Sequence, residues 1–433
     1  MAKIKSVKAR EVLDSRGNPT VEVQLFSKDN SASAIVPSGA SKGAREAVEI
    51  RDHDSRFHGN GVRNAIQHIN EVIAPKIIGL DCADQEKLDN LMLELDGTSN
   101  KSKLGANAIL AVSMANCRLA SLERKLPLYS HIASLCNETQ FVLPVPCMNI
   151  INGGAHAGNT LSVQEFMIIP VGAPSFCEAV RMCVETYDTL KQLLRHIYNK
   201  SATNVGDEGG FAPPIKRTPD AIKLITGAIK ENGYEGKIKI GLDVASTQLF
   251  DQGFYHIDGE KLSPEQMVSF YENLCKQFPI VSIEDPFEEE SFESFAKLTS
   301  AIGNDVQIVG DDLLVSNVLR VQKAISEKAG NALLLKPNQI GTVTEAIRAA
   351  RLASSHDFGV MVSHRSGDSE DTFIADLAVG ISSGQIKSGA PCRSERTSKY
   401  NQLLRIEEEL GSKAIYAGKF FRNPRMAKLK FEG

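Results

Sequence analysis

The sequence predicts an α/β fold: an N-terminal α+β domain, an antiparallel meander plus helices, followed by an eight-stranded β/α (TIM-like) barrel with an irregular first connection. Three observations lead to this prediction. In the C-terminal two-thirds, apolar runs of strand length alternate with amphipathic stretches. Several of these runs end in charged residues, as barrel strands do at their carboxyl ends. The first third combines alternating strand patterns with separate helical patterns.

Composition limits the classes of protein to which the chain can belong. Its 433 residues suffice for two or three domains, and 42% hydrophobic residues supply a large core. A net charge of −4 indicates no basic surface for nucleic acid. The eight cysteines lack CxxC spacing, which is typical of reduced thiols in a cytosolic protein. No apolar run reaches membrane-spanning length, and the N-terminus has no apolar signal region.

The first domain is predicted over residues 1–137 and the barrel over residues 138–433. Residues 11–26 carry a turn at 17–19 followed by alternating apolar residues, and together with 31–38 they indicate the antiparallel meander. Apolar residues at helical spacing then predict three helices, at 61–74, 85–95 and 105–124.

The barrel prediction starts from two consecutive strands, 145–150 and 163–169, with no helix of ordinary length between them. Two amphipathic stretches follow, at 177–198 and 219–231. Six further strands end near polar residues: Asp243, Glu284, Asp311, Lys336, Ser363 and Lys387. Helical patterns separate these strands and follow the last one, at 263–277, 291–301, 316–328, 342–355, 371–382 and 394–409. Eight strands are the number that closes a β/α barrel.

Three carboxylates come from consecutive strands of this barrel. Neighbouring strands lie about 5 Å apart, so Asp243, Glu284 and Asp311 can converge on one cation. A set of ligands that contains only oxygen atoms suits Mg²⁺. Each acid taken alone could equally cap a helix. The lysines on the same rim favour the metal site.

Basic residues lie further round the rim. Lys336, Arg365 and Lys387, together with a metal, indicate an anionic substrate. Arg365 and the hydroxyl of Ser366 form a candidate phosphate clamp. Lys336 can act as a base if a nearby Mg²⁺ and a second lysine lower its pKa. His364 is either a hydrogen-bonded spacer or a substrate contact.

Three glycine-rich segments complete the predicted site, at 37–43, 151–159 and 204–213. The second presents His156, and the third presents Glu208. Glycines allow close approach of the backbone to a ligand, although any one segment could be an ordinary turn. If the barrel closes, Glu165 can meet Glu208. Two close carboxyls cannot both ionise, so one would hold a proton and serve as a general acid.

Motifs along the chain occur in the order found in one family. They are DSRGNPTVEV (14–23), VGDEGGFAP (205–213), SIEDPF (282–287), SHRSG (363–367), EDTFIADL (370–377) and NQLLRIEEELG (401–411). On these motifs the chain resembles the enolase family, the phosphopyruvate hydratases, nearly end to end. The resemblance implies Mg²⁺-dependent, reversible dehydration of 2-phosphoglycerate to phosphoenolpyruvate in glycolysis and gluconeogenesis. It also implies two Mg²⁺ ions per active site, a homodimer and a cytoplasmic location.

The resemblance implies a role for each matching residue. Lys336 takes the C2 proton, and Glu208, with Glu165, protonates the leaving C3 hydroxyl. The three rim carboxylates hold the first Mg²⁺, and Ser41 holds the second together with the substrate phosphate. Lys387 binds the substrate carboxylate. The full set of implied substrate contacts is His156, Glu165, Glu284, Asp311, Ser363, His364, Arg365, Ser366 and Lys387.

Two places depart from the family pattern. Lys42 and Arg45 follow Ser41 where relatives usually carry threonine and a bulkier ring residue, and Pro337 follows Lys336. No predicted catalytic position is substituted. Two alternatives stay open. One is a non-catalytic relative with a binding or structural role, and the other is a different metal-dependent acid-sugar lyase on the same barrel.

Overall fold

The chain begins with an antiparallel sheet in the computed structural model, which describes residues 2–39 and 43–432. Its strands pair in the order β1 (Ser6–Leu13), β2 (Pro19–Phe26) and β3 (Ser31–Ile35). On β2, Val21, Val23 and Leu25 are fully buried, whereas the residues between them are partly exposed. This alternation confirms the predicted meander.

Helices cover this sheet, and the longest of them packs on β2 and β3. They are α1 (Arg63–His68), a π-helical turn (Ile69–Ile73), α2 (Ala74–Ile77), α3 (Gln85–Asp96), α4 (Ala106–Glu123) and α5 (Leu128–Cys136). The helix predicted at 61–74 is divided because Ala74 N–H bonds to Ile69 O and Pro75 has no N–H to donate. α5 was not predicted.

Eight of the remaining strands close into a barrel. In chain order the strands are β4 (Val142–Leu143), β5 (Val145–Asn152), β6 (Glu165–Ile169), β7 (Lys239–Asp243), β8 (Phe250–Asp251), β9 (Phe254–Ile257), β10 (Glu260–Leu262), β11 (Ile280–Glu284), β12 (Gln307–Gly310), β13 (Ala332–Leu335), β14 (Gly359–Ser363), β15 (Gly384–Lys387) and β16 (Ile415–Tyr416). The order around the barrel is β11-β12-β13-β14-β15-β5-β6-β7. The predicted eight-stranded barrel is confirmed.

One barrel strand is reversed. β6 runs antiparallel to both β5 and β7, whereas the other neighbours are parallel. An antiparallel pair needs no crossover helix, which explains the irregular first connection. Two small pairings lie outside the barrel and were not predicted: the sheet β10-β9-β8 and the pair β16-β4.

Helices surround the barrel, and the predicted ones lie within two residues of their observed bounds. They are α6 (Phe176–Ile197), α7 (Thr218–Glu231), α8 (Pro264–Gln277), α9 (Phe292–Ile302), α10 (Val318–Glu327), α11 (Pro337–Ile340), α12 (Val343–Ser355), α13 (Phe373–Gly380), α14 (Ser394–Leu410) and α15 (Arg425–Glu432). Short 3₁₀ turns lie at Arg56–Gly59, Gly154–His156, Lys200–Thr203, Ser246–Leu249, Gly411–Lys413 and Gly418–Phe420. Among the described residues, no helix combines the length and apolar character that a membrane crossing requires.

The alternation of side chains on β13 directs Lys336 into the mouth of the barrel. Leu334 belongs to the apolar cluster inside the barrel, and Leu335 belongs to the core between strands and helices. Because side chains alternate along a strand, Lys336 shares the inward direction of Leu334. Pro337 then opens α11 at its first position, where a missing N–H costs no helical hydrogen bond.

The N-terminal elements hold the segment that follows this turn. Ser113 Oγ of α4 accepts a hydrogen bond from Val343 N at 3.0 Å. Asp89 Oδ2 of α3 accepts one from Thr344 N at 3.0 Å. These N–H groups open α12 and have no partner within it, so the N-terminal part caps this helix. The segment that follows Lys336 is thereby fixed by hydrogen bonds to α3 and α4.

His131 of α5 offers a test of this packing. Burial, with the Arg124 guanidinium beside it, lowers its pKa to about 4. The unfolded state then binds more protons than the folded state between about pH 4 and 6.5, so stability falls as pH falls through this window. The effect is at most about 3 kcal/mol. We expect His131→Gln to flatten this part of the pH dependence, as measured by urea unfolding.

The exposed His196 provides the control for that measurement. His196→Gln removes a histidine from the same chain without removing a buried one, so it should keep the wild-type slope. A His131→Gln protein whose stability falls as steeply as that of wild type would contradict the assignment of the slope to His131.

Candidate active site

The carboxyl ends of the barrel strands surround a small cavity. Its lining contains most of the residues predicted from the sequence: His156, Glu165, Glu208, Asp243, Asp311, Lys336, Ser363, His364, Arg365, Ser366 and Lys387. Glu284 lies just behind this lining, in contact with Lys387. Ser41, predicted to hold the second metal, and its neighbour Lys42 lie outside the described residues.

The reversal of β6 accounts for the position of Glu165. Because β6 is antiparallel, its first residue lies at the mouth of the barrel, where the other strands end. Glu165 therefore stands opposite Asp243 in the register with β7 and opposite Asn152 in the register with β5. A parallel strand would have placed this carboxyl at the other end of the barrel.

Lys387 lies at the centre of one half of the cavity. Its Nζ is 2.9 Å from Asp243 Oδ2, 2.8 Å from Glu284 Oε1 and 3.2 Å from Glu165 Oε1. Burial opposes its charge, but the carboxylates outweigh burial and raise the pKa of Lys387 well above its usual value. Burial and the charge of Asp243 raise the pKa of Glu284 well above its usual value. This half of the site therefore carries crowded negative charge.

Lys336 has a different partner. Its Nζ donates a hydrogen bond to Asp311 Oδ2. Burial lowers the pKa of Lys336, but the attraction of Asp311 outweighs burial and raises it. Asp311 is thus the direct partner of the ammonium. The lowered pKa predicted for Lys336 beside Mg²⁺ and a second lysine stays a prediction.

Asp285 fixes the backbone that presents Asp311. Its carboxylate accepts hydrogen bonds from Asp311 N and Asp312 N, each at 2.8 Å. Asp285 itself has a φ of 39°, a left-handed conformation that few side chains adopt. The backbone therefore bends after β11 at Asp285, which places the Asp285 carboxylate against the two N–H groups that follow β12.

Two glycine-rich loops meet beside the mouth and bring His156 to Glu208. A Cβ on Gly206 would lie 2.3 Å from His156 O, so this close approach of the two loops requires glycine. His156 Nδ1 lies 3.6 Å from Glu208 Oε1 and 3.7 Å from Glu165 Oε1. The structure thus places both glutamates at one histidine.

The pKa values of the two glutamates are shifted in opposite directions. Burial and the charge of Glu208 raise the pKa of Glu165 well above its usual value. Burial also opposes ionisation of Glu208, but the N–H of His364 that faces it and the charge of the Arg396 guanidinium favour the ionised form, and its pKa is lowered well below the usual value. The two pKa values are shifted in opposite directions, as expected for two close carboxyls. The assignment of the acid to Glu208, acting with Glu165, stays a prediction.

His364 is neutral and its tautomer follows from its neighbours. Burial lowers its pKa to about 4, and the Arg396 guanidinium acts in the same direction. Arg396 Nη1 donates to His364 Nδ1 at 2.6 Å. The ring proton is therefore on Nε2, which lies 3.3 Å from Glu208 Oε2.

The guanidinium predicted to bind phosphate is paired with a carboxylate. Arg365 Nη1 donates to Glu46 Oε2 at 2.9 Å, and its Nη2 donates to Glu46 Oε1 at 3.0 Å. This two-pronged geometry is the one that arginine also uses with phosphate. Glu46 therefore occupies the binding edge of the guanidinium in the predicted clamp.

The rim carboxylates fit a hard divalent cation by their chemistry. Asp243, Glu284 and Asp311 are buried and offer only oxygen atoms. These three carboxylates do not form one close set of ligand atoms, because Lys387 bridges the first two and Lys336 pairs with the third. Closer sets of possible ligand atoms, within 4.8 Å of one another, are Asp285, Asp311 and Asp312, and His156, Glu165 and Glu208.

Two supporting side chains were not singled out from the sequence. Asn149 Nδ2 donates to Glu208 Oε2 at 3.2 Å. Arg396 donates to the backbone oxygens of Arg365 at 2.5 Å and Ser366 at 2.6 Å. A polar residue within the buried strand β5 was a usable signal for Asn149. Arg396 carries no such signal, because an arginine in the first turn of a helix is ordinarily solvent-exposed.

Comparison with known proteins gives matches in both parts of the chain. A family model described as the enolase N-terminal domain matches residues 4–132. A second, described as the enolase C-terminal TIM barrel domain, matches residues 140–425. The chain is also similar to an enolase of Methanocaldococcus jannaschii, with 55% identity over 422 residues that cover 97% of this chain and 98% of that protein.

Lys387→Met tests the charge balance of the site. The variant loses an ammonium that contacts three buried carboxylates, and breaking a buried ion pair typically costs about 3–5 kcal/mol. We expect a lower melting temperature than wild type in EDTA, by calorimetry. Added Mg²⁺ should raise it by more than in wild type, because a bound cation offsets the lost charge.

The exposed Lys297, which pairs with Glu293 on the surface, provides the control. Lys297→Met should match wild type in both conditions. If Lys387→Met has the same melting temperature as wild type in EDTA, the contacts of Lys387 with the carboxylates do not stabilise the site.

Proposed function

The chain belongs to the enolase family, and on this basis we propose which of its side chains act in the reaction. Its activity is that of a phosphopyruvate hydratase, a metal-dependent carbon–oxygen lyase of glycolysis that converts 2-phosphoglycerate to phosphoenolpyruvate. Lys336 acts as the base at C2, and Glu208 acts with Glu165 as the acid at the C3 hydroxyl. One observation carries this assignment: the lysine and both glutamates line a single buried cavity.

Lys336 removes the C2 proton only as a neutral amine. Burial and the positive charges of Arg365 and Lys387 favour that neutral form, whereas Asp311 favours the ammonium. The strength of the base therefore depends on how firmly Asp311 holds it. This arrangement supports a lysine whose protonation responds to the occupation of the site.

Glu165 supplies the proton that the leaving C3 hydroxyl takes up, and Glu208 delivers it. Glu165 is the protonated member of the pair, and both carboxyls lie beside His156 Nδ1. Transfer from Glu165 to Glu208 and then to the leaving C3 oxygen releases water. Asn149 orients the delivering carboxyl through its 3.2 Å hydrogen bond.

Asp243, Glu284 and Asp311 would hold one Mg²⁺, and Ser41 would hold a second beside the substrate phosphate. The oxygen-only donor set and the crowded negative charge around Glu284 support the first position. Bound Mg²⁺ supplies Lewis-acid stabilisation of the charge that develops when a proton leaves the carbon next to a carboxylate. Lys387 adds a positive charge of the protein, placed for that carboxylate.

The remaining side chains suit a small phosphorylated acid. Arg365 and Ser366 form the phosphate site, which Glu46 fills in the structure through the same two-pronged contact. Phosphate binding then requires the displacement of Glu46 from the guanidinium. The other proposed substrate contacts lie in the same lining: His156, Ser363 and His364.

We also propose a cytoplasmic homodimer with a domain boundary between residues 137 and 138. Family membership supports the dimer, which light scattering can test. All eight cysteines lie in the described part of the chain and none forms a disulfide, which supports a reducing compartment. The two family models leave the proposed boundary between their matched ranges.

Neither alternative considered from the sequence has a specific observation in its favour. A binding or structural relative without activity is expected to lack a residue of the site, yet each residue with an assigned role is present in the chain. A different acid-sugar lyase would need no pairing of arginine and serine hydroxyl for phosphate. A screen for activity on non-phosphorylated sugar acids tests for this class of lyase.

Lys336→Ala should abolish turnover while substrate binding persists. A base acts mainly in the transition state, so kcat should fall by roughly 10²–10⁴-fold or more with little change in KM. The measurement is the rate of phosphoenolpyruvate formation across substrate concentrations. The exposed Lys230 provides the matched control, and Lys230→Ala should behave as wild type. Near-normal kcat in Lys336→Ala would rule out the base assignment.

Glu208→Gln should separate the two proton transfers. The amide cannot deliver a proton to the C3 oxygen, whereas Lys336 remains able to remove the one at C2. Exchange of the C2 proton with deuterated water, followed by NMR, should therefore continue while elimination stops. The exposed Glu235→Gln serves as the control. If exchange and elimination fall by the same factor, separate acid and base roles are not supported.

A further inference from the structure

Gln339 joins the proposed base to a proposed metal ligand through a closed ring of hydrogen bonds. Lys336 N donates to Ser316 Oγ at 2.8 Å, and Ser316 Oγ donates to Gln339 Oε1 at 2.8 Å. Gln339 Nε2 donates to Asp311 Oδ1 at 2.8 Å. Lys336 Nζ closes the ring at Asp311 Oδ2.

The network determines which way the amide of Gln339 points. The carboxylate of Asp311 only accepts hydrogen bonds, so the NH₂ group of Gln339 must face it. The amide oxygen then faces Ser316, whose hydroxyl donates to it at 2.8 Å, whereas the Leu334 carbonyl lies farther from that hydroxyl, at 3.5 Å. Ser316 and Gln339 are 0% and 1% exposed, so water does not compete for these bonds.

The backbone of Gln339 is held as firmly as its side chain. Gln339 N donates to Lys336 O at 3.0 Å, within the turn of α11. Gln339 O accepts from Ala47 N at 2.8 Å, so a segment near the glycine-rich loop of the N-terminal part braces the same residue. These bonds fix the backbone from which the amide reaches Asp311.

The two oxygens of Asp311 have different partners. Oδ1 accepts from the amide of Gln339, and Oδ2 accepts from Lys336 Nζ. While Gln339 holds Oδ1, a cation that replaced the ammonium at Oδ2 would be ligated through that oxygen alone. Mg²⁺ takes six ligands in near-ideal octahedral geometry, whereas Ca²⁺ takes six to eight and accepts carboxylates through both oxygens.

We propose that Gln339 is a positioning residue that restricts Asp311 to one-oxygen ligation and thereby selects Mg²⁺ over Ca²⁺. The inference rests on the proposed function, since it takes Asp311 as a metal ligand. Ser316 acts on Gln339, because its hydroxyl holds the amide in this orientation. Loss of the amide frees the carboxylate to turn and present both oxygens, which favours the larger ion.

Metal binding measured by isothermal titration calorimetry tests this proposal directly. The titrated proteins are wild type, Gln339→Leu and Asp311→Asn, each with MgCl₂ and separately with CaCl₂. In Gln339→Leu, Mg²⁺ affinity should fall roughly 10–100-fold, the usual effect of removing a partner that orients a ligand. Ca²⁺ affinity should fall by less than tenfold or rise, so preference for Mg²⁺ over Ca²⁺ drops.

A buried glutamine elsewhere in the barrel supplies the matched control. Gln307 is 0% exposed and donates to Gln385 Oε1 at 2.8 Å. Gln307→Leu removes a comparable amide and should lower the melting temperature while leaving the Mg²⁺-to-Ca²⁺ preference unchanged. A purely structural role for Gln339 predicts the same behaviour for Gln339→Leu, and that result would overturn the proposal.

The remaining outcomes are also decisive. If Asp311→Asn binds Mg²⁺ as wild type does, the proposed ligand set fails, and this failure is distinct from an unchanged ion preference in Gln339→Leu. If Gln339→Leu does not fold, Ser316→Ala decides instead, because it keeps the amide but removes the hydroxyl that orients it. A reduced preference for Mg²⁺ in Ser316→Ala supports the proposal, and an unchanged preference overturns it.

Discussion

The contact of the Lys387 ammonium with three buried carboxylates is the interaction on which the site depends. Glu165, Asp243 and Glu284 come from three adjacent strands, and any charge that these buried carboxyls carry requires a cation between them. The strand register of the barrel brings the lysine and these carboxyls together. β6 is reversed so that its first residue reaches the mouth, and β15 ends at the lysine.

The same principle recurs around the cavity. Each basic side chain proposed to meet substrate is held by a carboxylate of the protein: Lys336 by Asp311, and Arg365 by Glu46. Ligand binding therefore exchanges one set of charge partners for another and does not require isolated charges to be buried in advance. The site is preorganised, because the groups that position each charge are themselves fixed by hydrogen bonds.

The features predicted from the sequence are those that depend on local patterns. Buried strands and the polar residues at their ends follow from periodicity, so Asp243, Asp311 and Lys336 were located correctly at the mouth. The reversal of β6 was visible only as a missing helix. The sheet β10-β9-β8 was missed because its strands are short and largely exposed.

What the sequence could not predict are pairings between distant segments. Glu46 and Arg365 are 319 residues apart, and Gln339 and Asp311 belong to different βα units. Nothing in the local pattern of either member indicates the other. The first contact exists only once the N-terminal part has packed on the barrel, and the second only once the barrel has closed. The pairing of Lys336 with Asp311 was likewise not identifiable from spacing alone.

This set of buried charges is proposed to carry out metal-dependent dehydration. The most direct measurement is the ultraviolet absorbance of phosphoenolpyruvate after wild-type protein is mixed with 2-phosphoglycerate, with Mg²⁺ and with EDTA. We expect absorbance to rise only with Mg²⁺, and to recover when excess Mg²⁺ is added to the chelated sample. Equal rates in EDTA, or no product in either condition, would contradict the account.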